Sequence, residues 1–112
     1  MAEPDIEVSA QRAAELQAEG VTLVDVREQH EWDAGRIPGA RHIPLGDLSS
    51  QAGTLDPSAP VVVLCRAGGR SLMAAQALRA AGVEAYSMAG GMLAWDAAGL
   101  PMEPDGARVA EH

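Results

Sequence analysis

The chain has 112 residues, 47% of them hydrophobic, and a net charge of −8 from eight Arg, no Lys and sixteen acids. That length holds one domain, the apolar content is that of a globular chain, and the acidic balance disfavours a phosphate-backbone binder. Phe is absent and Trp32, Tyr86 and Trp95 are the only aromatics, too few for a platform on which single-stranded bases stack. The 22 Ala leave the core to 27 Leu, Val, Ile and Met residues. The longest run of large apolar residues, Val61 to Cys65, is far short of the roughly 20 that span a bilayer. A single cysteine, Cys65, excludes an internal disulfide and a zinc site built from several cysteines. Met1 to Asp5 is acidic and lacks the basic and apolar regions of a signal peptide. A soluble, cytoplasmic single domain is expected, with neither a membrane nor nucleic acid as partner.

The charge is unevenly divided. Residues 1–33 carry nine acids and two Arg, residues 34–79 two acids and five Arg, and residues 80–112 five acids and one Arg. A basic middle within an acidic chain favours a small anion locally, although acids placed elsewhere for solubility produce the same asymmetry.

Short apolar runs alternate with helical stretches, the pattern of an α/β domain. Ile6-Glu7-Val8 is a weak first strand. Ser9 is suited to cap a helix over residues 10–19, with Gly20 at its C-terminal end. Thr22 to Val26 reads as a buried strand and residues 27–34 as one or two helical turns. Gly35 to Ala40 holds two Gly and a Pro and reads as a turn. Arg41-His42-Ile43 is a short strand closed by Pro44, and residues 45–50 form a brief helix. Residues 51–60, with Gly53, Pro57 and Pro60, read as a surface loop. Val61 to Leu64 is wholly apolar and mostly β-branched, as a central parallel strand requires. Residues 71–81 are helical, with Gln76 and Arg79 on one face, the other faces free to pack on the sheet, and Gly82 as the stop. Glu84 to Met88 is a last strand, which Ala89-Gly90-Gly91 turns into a short helix holding Trp95. The polar tail from Glu103 to His112 is expected to be loose. About five strands with intervening helices result, and in such open sheets the ligand site lies beyond the carboxyl ends of the strands. Cys65 sits there.

Cys65-Arg66-Ala67-Gly68-Gly69-Arg70 joins the central strand to a helix. Such a loop turns several backbone N–H groups toward one point: the two glycines permit the φ values and close approach, and the helix adds its unpaired N-terminal donors. A free cysteine titrates near ~8.5 and is about 3% thiolate at pH 7. Lowering its pKa to roughly 6 makes it about 90% thiolate and takes about 3.4 kcal/mol of differential stabilisation. A helix terminus supplies only about 0.3–1 kcal/mol at an exposed site. Converging amide hydrogen bonds, helped by Arg66 or Arg70, must supply most of it. A lone cysteine after an apolar strand is ordinarily structural; the Gly-Gly pair and the two arginines favour a reactive one.

With these segments in this order, the chain resembles the single-domain rhodaneses, which are sulfurtransferase modules. The resemblance covers about residues 6–102 and leaves residues 1–5 and 103–112 as short tails. Leu23-Val24-Asp25-Val26-Arg27, followed by Glu31 and Trp32, is similar to the family's N-terminal signature. Gly35 to Pro44 resembles its Gly-His-Ile-Pro-Gly-Ala-x-Asn-Ile-Pro segment, with Arg36 in place of the usual His and His42 in place of the usual Asn. Both departures bear on hydrogen bonding in the turn more than on cysteine chemistry. Cys65 to Arg70 resembles the active-site loop, and Ala89-Gly90-Gly91 with Ala94-Trp95 and Gly99-Leu100-Pro101 the C-terminal signature. The resemblance implies a five-stranded parallel sheet flanked by helices. It also implies a persulfide carried on Cys65 as the catalytic residue, with Arg66, Ala67, Gly68, Gly69 and Arg70 binding the substrate. Four residues separate Cys65 from Arg70, whereas the related cysteine phosphatases and arsenate reductases have a longer loop. The narrower cradle suits a sulfane sulfur rather than a tetrahedral oxyanion.

Asp25 and Arg27 are expected to support the site, Asp25 by accepting hydrogen bonds that fix neighbouring loops and Arg27 by pairing with Glu31 across a helical turn. Trp32 and Trp95 read as core anchors. His30, His42 and His112 lack metal-ligand spacing and no strand-GxGxxG-helix unit is present, so neither metal nor cofactor is expected. The expected activity is double displacement. Cys65 takes sulfur from a small anionic donor such as thiosulfate and passes it to a thiol or a sulfur-accepting protein. With no second cysteine to resolve a disulfide, thiol–disulfide oxidoreductase chemistry within one chain is disfavoured. The alternative is a rhodanese-fold sulfur carrier or regulatory binding module with little free turnover.

Overall fold

The computed structural model describes residues 6–111; the acidic start, Met1 to Asp5, and His112 lie outside the described residues. Five strands, β1 (Glu7–Val8), β2 (Thr22–Asp25), β3 (Arg41–His42), β4 (Val61–Leu64) and β5 (Ala85–Met88), form one sheet in the order β1-β5-β4-β2-β3. Every neighbouring pair is parallel. Helices α1 (Ala10–Ala18), α2 (Gln29–Ala34), α3 (Leu48–Gln51), α4 (Gly69–Ala80) and α5 (Gly91–Ala97) flank it. The architecture is the five-stranded parallel α/β sheet expected from the sequence.

β4 is central because all four of its side chains are apolar, so both of its faces can be buried. Alternate residues of a strand point to opposite faces. Val61 and Val63 therefore pack, with Cys65, against Ala74, Ala75 and Leu78 of α4. Val62 and Leu64 pack instead with Ala10 and Ala13 of α1 and Met92 and Trp95 of α5. This alternation puts Cys65, one residue past the strand, on the α4 side. Ser9 caps α1 as expected, its hydroxyl accepting the Arg12 N–H at 3.0 Å.

Three expectations are corrected. α4 starts at Gly69, so the last two residues of the cysteine loop already belong to the helix. Only the stripe Ser71, Ala74, Ala75 and Leu78 is buried, while Met73, Gln76 and Ala77 are exposed. A helix resting on one sheet covers a single stripe, and an Ala-rich sequence does not mark its edges. Arg79 is half-buried, its Nε donating to Ala85 O at 2.7 Å. The expected 51–60 loop is partly helical: Gln51 ends α3 and Ala52–Thr54 forms a 3₁₀ turn followed by the buried Leu55.

The tail is packed, not loose. Arg36 and Glu103 exchange two backbone hydrogen bonds of 2.9 Å, Arg108 N–H donates to Ala34 O at 3.0 Å, and Ala110 is buried. Gly35 makes room for this: a Cβ there would lie 2.5 Å from Arg108 O. Backbone pairing leaves no signature in side-chain composition, which is why a polar segment reads as free.

Candidate active site

Cys65 directly follows the central strand and is almost fully buried, at 1% exposure. The turn after it is made by Gly68, whose φ of +113° lies in the left-handed region open to glycine. That turn brings the Gly68 N–H back to Cys65 Sγ at 3.0 Å. The carbonyls of the same segment point the other way, where Cys65 O accepts the Met92 N–H at 2.8 Å and Arg66 O the Leu93 N–H at 3.0 Å. The N-terminal donors of α5 therefore hold the loop's acceptors, which leaves the loop's own donors facing the sulfur. Gly91, at φ +53°, lets α5 come this close: a Cβ would lie 2.6 Å from Arg66 O and also strike Cys65 O.

Burial pushes the Cys65 thiol up, but hydrogen bonds win. The Ser71 hydroxyl and the N–H groups of Ser71, Gly68 and Ala67 together hold its pKa below the ordinary thiol value. The Ser71 hydroxyl comes first among the lowering causes and the amides follow, whereas the loop sequence points to the amides as the main source. The arginine contribution differs from expectation, since neither Arg66 nor Arg70 is among the leading causes at the sulfur. Ala67 and Gly69 are exposed at the loop's outer side, and Arg66 and Arg70 are half-buried. Arg66 Nε donates to Ala110 O of the tail at 3.2 Å. Arg70 places Nη1 and Nη2 on the two carboxylate oxygens of Glu31 at 2.8 and 2.9 Å.

Glu31 thus pairs with Arg70, not with Arg27 across the helical turn. Arg27 is fully buried and turns back along its own strand end, with Nη2 2.8 Å from Asp25 Oδ2 and Nε 3.0 Å from Asp25 Oδ1. Its remaining donors reach Gly35 O at 2.8 Å and only the backbone carbonyl of Glu31 at 3.3 Å. Asp25 and Arg27 together pin the end of β2, α2 and the Gly35 turn behind the loop. Glu31 is fully buried, which raises its pKa. The Arg70 hydrogen bonds, the Glu28 N–H and the Arg70 and Arg27 charges outweigh that and hold its carboxyl below the usual range. In return Glu31, and secondarily a negative Cys65, raise Arg70.

Trp95 is the expected core anchor, at 1% exposure with its indole N–H donating to Pro101 O at 2.8 Å. Trp32 is only half-buried and stacks on His42, ring centroids 4.6 Å apart, with Arg36 over its ring. Arg36 and His42, the two departures from the family pattern, thus meet on one aromatic side chain. His42 Nε2–H also donates to Arg27 O at 2.8 Å. Sequence reasoning missed Ser87, which is buried with its hydroxyl 2.8 Å from that of Ser71. The only available signal was a hydroxyl residue inside an apolar strand.

A family profile described as Rhodanese-like domain matches residues 9–98. The thiosulfate sulfurtransferase of Ectopseudomonas mendocina is 36% identical over 91 residues, covering 80% of this chain and 84% of the relative. An HTH-type transcriptional regulator of Mycobacterium tuberculosis is 44% identical over 92 residues, 80% of this chain, but the chain spans only 40% of that regulator. A Bacillus subtilis relative named for sulfur carriage is 32% identical over 93 residues, covering 82% of this chain and 50% of the relative. The crystal structure of a rhodanese-related protein from Thermoplasma volcanium superposes with a TM-score of 0.81 at 28% identity, covering 87% of this chain and 96% of that one. By profile, sequence and backbone alike, the chain belongs to the rhodanese-like family.

Proposed function

We propose that the chain is a sulfurtransferase that carries a sulfane sulfur on Cys65. The observation that supports this best is the donor cradle: a strand-end sulfur with the Gly68 N–H 3.0 Å away and its pKa held down by surrounding hydrogen bonds. The thiolate attacks the outer sulfur of a small anionic donor such as thiosulfate. A Sγ–S bond forms, the donor's S–S bond breaks, and sulfite leaves with the electron pair. A thiol, a sulfur-accepting protein or cyanide then takes the outer sulfur and regenerates the thiolate, so one transfer is split into two easier ones. Loop residues Arg66 to Arg70 bind the donor, Asp25 and Arg27 support them, and neither cofactor nor metal is used. The functional unit is residues 6–102. A reducing cytoplasm, which keeps the single thiol free, is the compartment that suits this chemistry, and no described helix is long and apolar enough to cross a membrane.

A second reading, a sulfur carrier dedicated to one protein acceptor, is favoured by the near-closure of Cys65, whose exposure is 1%. Mass spectrometry after incubation with thiosulfate tests the first reading. One added sulfur atom, removed by cyanide, is expected, and an unchanged mass would count against it. Rapid loading with slow discharge to cyanide, but fast discharge to a protein thiol, would favour the carrier.

A further inference from the structure

Residues 103–111 form a strap that ties α2 to the cysteine loop. Glu103 pairs with Arg36 through two backbone hydrogen bonds, and Arg108 N–H donates to Ala34 O at 3.0 Å. Beyond these, two adjacent carbonyls of the strap are gripped from two different elements. His30 of α2 donates Nε2–H to Glu111 O at 3.0 Å, and Arg66 of the loop donates Nε–H to Ala110 O at 3.2 Å. The Ala110 side chain is buried, which fixes its carbonyl in place. This contact differs in kind from the one at Arg70, whose two Nη groups sit on the Glu31 carboxylate and whose charge is thereby balanced. Ala110 O is neutral and takes only Nε–H. Among the described residues no carboxylate pairs with Arg66. A guanidinium holds its five N–H donors in one rigid plane. Holding Nε therefore sets that plane, while both Nη groups and the positive charge stay uncommitted. The Arg66 main chain is anchored separately, its carbonyl accepting the Leu93 N–H at 3.0 Å.

We propose that Ala110, through its carbonyl, is a positioning residue: the strap holds the Arg66 guanidinium ready for the anionic donor on its way to Cys65. The inference rests on the persulfide reading above and extends its working unit past residue 102. A long side chain that is free to rotate must be ordered when an anion arrives, and that ordering weakens binding. With the strap in place the ordering is complete once the chain has folded. The strap therefore acts on affinity for the anion and not on the bond changes at sulfur.

The test uses the full chain with two variants that dislodge the strap at different points. Ala110→Gln forces a larger polar side chain into a buried site. Gly35→Ala wedges the strap at Arg108: Gly35 has an extended backbone, φ 173°, that any residue adopts, but a Cβ there would lie 2.5 Å from Arg108 O and 2.8 Å from Arg108 N. Both variants are expected to raise KM for thiosulfate about two- to tenfold with little change in kcat, the effect of leaving one long side chain for the ligand to order. In an Arg66→Ala background neither should raise KM further, because the strap acts through Arg66. A second readout needs no sulfur donor: the rate at which anionic iodoacetate alkylates Cys65 relative to neutral iodoacetamide. That ratio should fall in both strap variants and in Arg66→Ala, since each weakens the local attraction for an anion. An unchanged KM or ratio in Ala110→Gln, a lower KM, or effects that persist in the Arg66→Ala background would overturn the proposal. Ala110 lies in no strand or helix, so Ala110→Gln reports even where Gly35→Ala fails to fold. A wild type that takes no sulfur from thiosulfate overturns the persulfide reading, while the alkylation ratio still decides the role of the strap.

Discussion

Arg70 and Glu31 meet in a two-pronged ion pair of 2.8 and 2.9 Å that ties the first turn of α4 to α2, with the carboxylate fully buried and the guanidinium 23% exposed. Arg70 therefore acts first on the shape of the loop, and its charge is largely balanced before any anion arrives. Because the Glu31 pKa is depressed, the pair stabilises the fold fully above the ordinary carboxylate value of ~4.3 and is lost as pH falls through the lower folded value. Glu31→Gln is expected to cost about 1–3 kcal/mol at pH 7. Urea unfolding at neutral and acid pH checks this. The gap between wild type and variant should narrow in acid, and a gap independent of pH would show that the ion pair is not its source.

Cys65→Ser should abolish sulfur transfer and leave the fold intact, since Cys65 is the only thiol in the chain. The hydroxyl is nearly isosteric but does not hold a persulfide. Thiosulfate:cyanide activity measured beside circular dichroism decides it, and transfer by a folded serine variant would remove the mechanism.

Alkylation of Cys65 should show an inflection below the free-thiol value of ~8.5, because hydrogen bonds from Ser71, Gly68 and Ala67 outweigh burial. A depressed thiol pKa contributes stability that is complete above ~8.5 and fades as pH falls through the folded value. Reaction rate with a neutral alkylating agent across pH 4 to 10 reports it directly. An inflection at the free-thiol value would mean that the cradle does not act on the sulfur.

Gly91→Ala should damage the site through the backbone. Its Cβ would meet Cys65 O and lie 2.6 Å from Arg66 O at a φ of +53°, so α5 must retreat from the loop whose carbonyls it holds. A loss of about 2–4 kcal/mol is expected from strain and overpacking together. Thermal unfolding measures it. Wild-type stability together with a wild-type Cys65 titration would show that the α5 contact does not shape the cradle.

Arg66→Ala should raise KM for thiosulfate several-fold with a smaller fall in kcat, the pattern of an interaction made equally in ground and transition states. Arg66 is half-buried and Arg70 is already balanced by Glu31, so Arg66 carries the less committed charge of the loop. Added salt should narrow the gap, since exposed charges are screened beyond about 8–10 Å at physiological ionic strength. An unchanged KM at low salt would leave the amide cradle as the recognition element.

Local patterns were enough for the strands, for most of the helices and for the position of the candidate nucleophile. The apolar run Val61 to Leu64 can be satisfied only between two layers, and Gly68 marks the turn that only a residue free to take positive φ makes easily. Ser9 and Gly20 bounded α1 because capping depends on neighbours in the chain. Tertiary structure alone decided the partners. Arg27 had Glu31 at helical spacing, yet it turned to Asp25 once the end of β2 was buried, which left Glu31 for Arg70, 39 residues away. The contact between Ser71 and Ser87, the docking of Glu103 to Glu111 and the Gly91 approach to Cys65 O are also long-range. A buried charge or hydroxyl takes whichever partner the packed layers bring within about 3 Å, and that choice is made in three dimensions, after spacing along the chain has ceased to matter.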